Sequence, residues 1–261
     1  MCPHLTSQWV RGVQDTLTRA NLFDLASGQI PAICLYDFID EPTVAAIRSA
    51  YSGLVHGYYK DVVPRIEKCG PTVFEHPFTD REHYFKEARE TDRLFSAAMQ
   101  DTVSPLHIFQ QKMQEECGWS STRASDSTFG NYFAGTLRSI EGGTPVHIDY
   151  APYEAPSWEM ISSVDAQLSA NVYLDGTPGQ GNLIIYDKPW ILEDEQYRFK
   201  DRFGYDDAVV REAPCAVIPP VSGAVVLFNS RCFHRVEPTV TRRLTFSFFF
   251  AIQDNSLILW S

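Results

Sequence analysis

The sequence predicts an α+β fold in which a helical first half buttresses an antiparallel sandwich or barrel. Up to about residue 126, apolar side chains recur at helical spacing in stretches rich in strong helix formers. From residue 127 the chain changes to short runs of β-branched and aromatic residues, separated by Gly, Pro and Asp-Gly. No linker composition, repeat or low-complexity segment divides the 261 residues, so 1–261 reads as one domain. Within it, 1–126 is the mainly helical buttress and 127–252 the strand-rich core.

In chain order, the first helical stretch is SQWVRGVQDTLTRANLF. The second, FIDEPTVAAIRSAYSGLVHGYY, offers Asp40 as N-cap and Pro42 in the first turn, with Val44, Ile47, Ala50, Tyr51 and Leu54 at helical spacing. RIEKCGPTVFEHPF reads as loop and short strand, and the helices TDREHYFKEARETDRLFSAAMQ and SPLHIFQQKMQEECGW follow. The strand candidates are STFGNYFAGTLRSI, PVHIDYA, DAQLSANVYLDG, GNLIIYD, CAVIPP, GAVVLFN and RRLTFSFFFAIQ. An insert of about 188–214 is charged, aromatic and too long for a hairpin loop, so it is either a lid or a decorative loop.

Composition narrows the function classes. A hydrophobic fraction of 44% supplies a sizeable core. The net charge of -11, without a Lys/Arg-rich run, repels phosphate backbones and argues against nucleic acid as partner. No apolar stretch approaches the roughly 20 residues that span a bilayer, and the start lacks a signal-peptide layout, so a cytoplasmic protein without membrane contact is expected. The six cysteines (Cys2, Cys34, Cys69, Cys117, Cys215, Cys232) form no C-x-x-C pair and read as reduced core residues.

The chemistry centres on TPVHIDYAP. In a strand, residues two apart share a face, so His147 and Asp149 can aim at one ion. With seven histidines and eighteen aspartates, chance alone supplies roughly half an H-x-D, so the pair needs company. NSRCFHRVEP provides it 87 residues later with His234. Two histidines and one carboxylate make a facial triad that leaves coordination positions open on iron.

The surrounding pattern, with Pro220, Gly223, Phe228, His234, Val236 and Pro238 in PPVSGAVVLFNSRCFHRVEPTVTRRLTFSF, resembles the second metal-binding strand of the Fe(II)- and 2-oxoglutarate-dependent oxygenases. The resemblance runs over roughly residues 128 to 252 and implies a double-stranded β-helix (jelly-roll, cupin-like) core. It implies Fe(II) on His147, Asp149 and His234, and the distal carboxylate of 2-oxoglutarate on Arg243 and Thr245. A guanidinium forks onto a carboxylate, and a hydroxyl on the same strand face adds a hydrogen bond; Arg242 points the other way. GQGNLIIYDKPW resembles the strand between the two metal-binding strands, with Gln180 where a second glycine is frequent. The implied reaction consumes O2, splits 2-oxoglutarate into succinate and CO2, and hydroxylates, desaturates or ring-closes a substrate at an unactivated C–H bond. Related halogenases carry a small residue at the position of Asp149, so its carboxylate speaks against halogenation.

RIEKCGPTVFEH, TLRSI, VDAQLSANVYLDG and the KPW insert look more specifically like the free-amino-acid hydroxylases and halogenases. That likeness implies a small-molecule substrate with an α-carboxylate, for which Arg65 and Arg138 are the candidate cations, unless each is a surface or structural arginine. Tyr150, Tyr153, Trp158 and Trp190 are either an aromatic wall over the substrate or packing at the end of the sandwich. His4, His56, His76, His83 and His107 have no ligand-spaced partner. Three alternatives stay open: a cupin-type metal dioxygenase or isomerase without 2-oxoglutarate, a catalytically silent binding module, and an oxygenase of proteins or nucleic-acid bases.

Overall fold

The computed structural model describes residues 8–54, 56–76 and 80–261; Cys2 and His4 lie outside them. The expected helices form, with shifted ends. The first is confined to Arg19–Ala26, capped by the Thr18 side chain. The second, Glu41–Tyr51, begins as expected, because the Asp40 carboxylate accepts from the Thr43 amide at 2.8 Å and Pro42 sits in the first turn. Arg81–Ala98 is the longest, and Pro105–Lys112 runs into a π turn, Met113–Cys117, closed by left-handed Gly118.

The large sheet is ordered Ile33–Leu35, Val225–Asn229, Leu168–Asp175, Leu244–Gln253, Thr136–Ser139, Glu67–Cys69 and Gly57–Tyr58. Ser256–Trp260 joins Leu244–Gln253 as a hairpin, and Ser120–Arg123 pairs in parallel with that hairpin strand. A smaller antiparallel sheet is ordered Cys215–Ile218, Leu183–Pro189 and Cys232–Val236. Strands from the first half, Ile33–Leu35 and Glu67–Cys69 among them, therefore enter the large sheet, and the core extends past residue 252. PVHIDYA is no regular strand: it contributes single bridges, Val146 to Tyr205 and His147 to His234.

Leu244–Gln253 explains how the layers stack. Phe246, Phe248 and Phe250 project into the core shared with the helices, where Phe109 meets Phe248 at 4.9 Å and Phe250 at 5.4 Å. The alternate residues Thr245 and Ser247 face the other way and line a cavity together with Leu183, His234 and Val236 of the small sheet. Strand alternation thus gives this strand, buried over 244–251, one face of Phe246, Phe248 and Phe250 and another carrying Thr245, Ser247 and then Phe249. Ile66, Ile140, Tyr173, Leu183, Ile185 and Phe228 close the apolar part of the space between the sheets.

The 188–214 insert folds as two short 3-10 turns, Leu192–Tyr197 and Asp207–Val210, and packs Trp190, Tyr205, Val209 and Val210 against Val146, Ile148, Ile184 and Phe233. Gly204 makes this docking possible. At φ +100°, a Cβ there would stand 2.7 Å from Pro145 Cγ and 2.9 Å from the Val146 carbonyl, which leaves room only for glycine. Among the described cysteines, Cys34, Cys69, Cys117 and Cys232 are buried free thiols, as expected, whereas Cys215 is exposed.

Candidate metal and cosubstrate site

The bridge between residues 147 and 234 fixes the site. The His147 amide donates to the His234 carbonyl and the His234 amide to the His147 carbonyl, both at 2.9 Å, so the two imidazoles stand side by side with ring centroids 4.2 Å apart. The Asp149 amide donates to the Ser230 carbonyl at 3.0 Å, and its Oδ2 lies 3.6 Å from His234 Nε2. The ligand atoms of His147, Asp149 and His234 all fall within 4.8 Å of one another, the one such group among the described residues.

The donor chemistry suits a metal ion. His147 Nδ1 sits 2.9 Å from the Pro145 carbonyl and His234 Nδ1 2.9 Å from the Cys232 carbonyl. A carbonyl can only accept, so each Nδ1 carries the proton and leaves an Nε2 lone pair for coordination. Burial, reinforced by the neighbouring His234, lowers His147 to about 3, which keeps it neutral. Burial raises the Asp149 carboxyl, but the neighbouring His234, His147 and Arg138 side chains outweigh it and hold the group below the usual carboxylate range, hence ionised. Two neutral nitrogens and one carboxylate are a set that Fe(II) accepts. Phe203 of the insert packs on His147 at 5.0 Å and Phe228 on His234 at 4.9 Å, walling the imidazoles with apolar surface.

Sequence reasoning missed Gln167, which sets the Asp149 turn. Fully buried, it donates from Nε2 to the Asp149 carbonyl at 2.8 Å, accepts from the Ala151 amide at 2.8 Å, and through its own carbonyl accepts from the Ser230 amide at 3.2 Å. Its only sequence signal is a polar residue at the head of an apolar strand.

The triad opens into a cavity of about 480 Å³. Arg243, 1% exposed, lines it with Thr245 and Ser247, while Arg242 is exposed. Its Nε donates to the Gly181 carbonyl at 2.9 Å and one terminal nitrogen to the Tyr173 hydroxyl at 3.2 Å. No carboxylate side chain pairs with it among the described residues. A buried guanidinium without a counter-ion is costly, so this is a place prepared for an anion.

Of the four substrate candidates, Arg138 lines the cavity and three do not. Arg65 is exposed, with its guanidinium 5.6 Å from the Tyr58 ring. Trp158 is buried in the helix-side core, 5.0 Å from Tyr84 and 5.6 Å from Tyr132, because the helical turns at 151–154 and 159–162 carry it away from the triad. Tyr150 turns toward Trp190 and Arg231. The aromatic wall is narrower than expected: Tyr153 lines the cavity and packs on Trp190 in a tilted pair with ring centroids 4.1 Å apart. Beside it, Arg198 binds Glu195 at 2.7 Å and Glu154 at 3.3 Å. Burial, with the charge of Asp149, raises Glu154 to about 7.

The model of a protein family described as the carrier-protein-independent halogenase WelO5 matches residues 13–261. Leucinostatins biosynthesis cluster protein S of Purpureocillium lilacinum is 31% identical over 225 residues, covering 79% of this chain and 90% of that protein. L-gamma-glutamyl-L-propargylglycine hydroxylase of Streptantibioticus cattleyicolor is 24% identical over 255 residues, covering 94% and 93%. Among solved structures, an N-substituted L-amino acid dioxygenase of Burkholderia ambifaria in complex with alpha-KG has a TM-score of 0.63 at 14% identity, covering 93% of this chain and 90% of that one, a likeness of fold.

Proposed function

The chain belongs to the WelO5 family, and on that premise we propose that this Fe(II)- and 2-oxoglutarate-dependent oxygenase oxidises an unactivated C–H bond of a free amino acid or a derivative, by hydroxylation, desaturation or oxidative C–N ring closure. The observation that carries the reading is one cavity holding both the His147, Asp149 and His234 cluster and the unpaired Arg243. In this reading 1–261 is a single oxygenase domain, and the two facing sheets are a double-stranded β-helix, or jelly roll, buttressed by helices.

His147 and His234 would hold iron through Nε2 and Asp149 through a carboxylate oxygen, with both Nδ1 atoms on backbone carbonyls and the Asp149 main chain tied to Ser230. The Arg243 fork and the Thr245 hydroxyl receive the distal carboxylate of 2-oxoglutarate, with Tyr173 steadying the guanidinium from behind. When bound, iron and 2-oxoglutarate supply the O2-dependent oxidation of a C–H bond, with succinate and CO2 as by-products. Phe203 and Phe228 keep water from the inner faces of the imidazoles. A relative bears the name of a hydroxylase and the family that of a halogenase; the Asp149 carboxylate at the third ligand position favours oxygenation here.

The test is oxygen-dependent succinate release with Fe(II), 2-oxoglutarate and a panel of amino acids, with mass analysis of products. Stimulation by at least one amino acid and an added oxygen, or loss of two hydrogens, is expected. No stimulated release from any compound, or a halogenated product in the presence of chloride, overturns the reading.

A further inference from the structure

The charged groups on the cavity wall other than Arg138 are paired, exposed or already assigned. Arg198 is paired with Glu154 and Glu195. Glu75 is paired with Lys68 at 2.6 Å. Lys60 is exposed. Arg243 awaits the distal carboxylate of 2-oxoglutarate. Arg138 remains, with no ion pair among the described residues and a buried Nε without a hydrogen-bond partner.

The sheet register shows where Arg138 points. It lies directly opposite Thr245 on one side and Lys68 on the other, so its side chain leaves the sheet on the same face as Thr245, into the cavity. The guanidinium is 5.7 Å from the Tyr59 ring. The Tyr59 hydroxyl lies beside that guanidinium, with its own O–H still to donate, and the hydroxyl of Thr72, a residue 1% exposed, is buried without a partner; both residues line the same cavity. Three unmatched donors on one wall call for an acceptor, since buried polar groups are otherwise paired.

Charge balance says which acceptor. Fe(II) with the Asp149 carboxylate leaves one positive charge, Arg243 adds another, and doubly charged 2-oxoglutarate cancels both. Arg138 is then the cavity-wall arginine with neither a paired carboxylate among the described residues nor a cosubstrate to hold, and an arriving anion offsets the cost of keeping it there. We propose that Arg138, with the hydroxyls of Tyr59 and Thr72, forms a second carboxylate subsite, separate from Arg243, that takes the α-carboxylate of the substrate. The inference rests on the oxygenase reading above and adds to it that the substrate enters with its α-carboxylate free. The other source of a carboxylate in this cavity is the proximal end of 2-oxoglutarate, and the experiment separates the two.

Calorimetry is carried out anaerobically on the Fe(II)-loaded protein, first with 2-oxoglutarate, then at saturating 2-oxoglutarate with the twenty common L-amino acids, their γ-glutamyl dipeptides and the matching α-carboxamides. We expect at least one free acid to bind wild type about tenfold or more tightly than its amide. Arg138→Gln should weaken that acid at least about tenfold and leave its amide unchanged, with the 2-oxoglutarate Kd within about twofold of wild type. Tyr59→Phe, which removes one oxygen, should give a smaller loss with the same selectivity and decides the matter if Arg138→Gln does not fold. The inference is overturned if Arg138→Gln weakens 2-oxoglutarate as much as the acid, if amides bind as well as acids, or if no compound of the panel binds. Wild type that fails to take 2-oxoglutarate overturns the oxygenase reading itself, a result distinguishable from the others.

Discussion

His147 and His234 exchange both backbone hydrogen bonds across a single antiparallel bridge, each 2.9 Å long, although they are separated by 87 residues of chain. The pair is therefore positioned by main chain, and in the proposed site the Asp149 carboxylate completes a group that could hold a metal ion. Asp149→Ala should lower metal affinity at least about tenfold and reduce succinate formation to background, while leaving the fold intact because, among the described residues, the carboxylate's near neighbour is the His234 imidazole at 3.6 Å and not the backbone. His147→Ala and His234→Ala should do the same. Binding of Mn(II), followed by calorimetry, and succinate assay check this; wild-type turnover in Asp149→Ala removes that ligand from the set.

Arg243 and Arg242 are neighbours with opposite surroundings, one 1% exposed in the cavity wall and the other on the surface. Arg243→Ala should weaken 2-oxoglutarate binding by about a hundredfold, the loss of a bidentate charged contact, and Arg242→Ala by less than about twofold. Tyr173→Phe, which frees one guanidinium nitrogen, should lie between them. Calorimetric titration with 2-oxoglutarate measures all three, and a larger effect at Arg242 would show the strand register to be wrong.

The residues legible in the sequence were those whose chemistry is unusual for their surroundings. His147, Asp149, His234 and Arg243 interrupt apolar runs, and strand parity correctly separates Arg243 from Arg242. What stayed hidden depends on tertiary approach. Tyr59 and Thr72 come from the first half of the chain, whose role read as support, yet Glu67–Cys69 pairs into the large sheet and brings that half to the cavity. Trp158 lay close to the metal motif in sequence, and short helical turns carried it into the core. The hairpin of Ser256–Trp260 was missed because its signal is Asp254 and Asn255, both at positive φ, a turn pair outside the regions read as strand.

Gln167 holds the turn that carries Asp149, so its removal tests how far the ligand set depends on support from behind. Gln167→Leu keeps the volume and leaves the Asp149 carbonyl and the Ala151 amide without these partners. Metal affinity should fall by about tenfold to a hundredfold. Stability should fall by about 2 kcal/mol, the cost of two unmatched buried backbone groups. Urea unfolding alongside Mn(II) calorimetry separates the two effects, and a stability loss without any change in metal affinity would make Gln167 a fold residue only.

Glu154 gives the metal-free protein a pH dependence of definite sign. Its folded-state value is raised from 4.5 to about 7, chiefly by burial and next by Asp149, so the folded chain holds this proton more tightly than the unfolded chain does. Between roughly pH 4.5 and 7 the folded state therefore binds more protons, and stability falls as pH rises through that window, then levels off above it. Arg198, 3.3 Å away, softens the effect without reversing it. The expected contribution is on the order of 2–3 kcal/mol across the window. Glu154→Gln should remove this slope, leaving the variant more stable than wild type at pH 8 and nearly equal at pH 4.5. Urea unfolding of the metal-free proteins between pH 4.5 and 8 measures the difference, and parallel curves for the two proteins would show that Glu154 ionises normally in the fold.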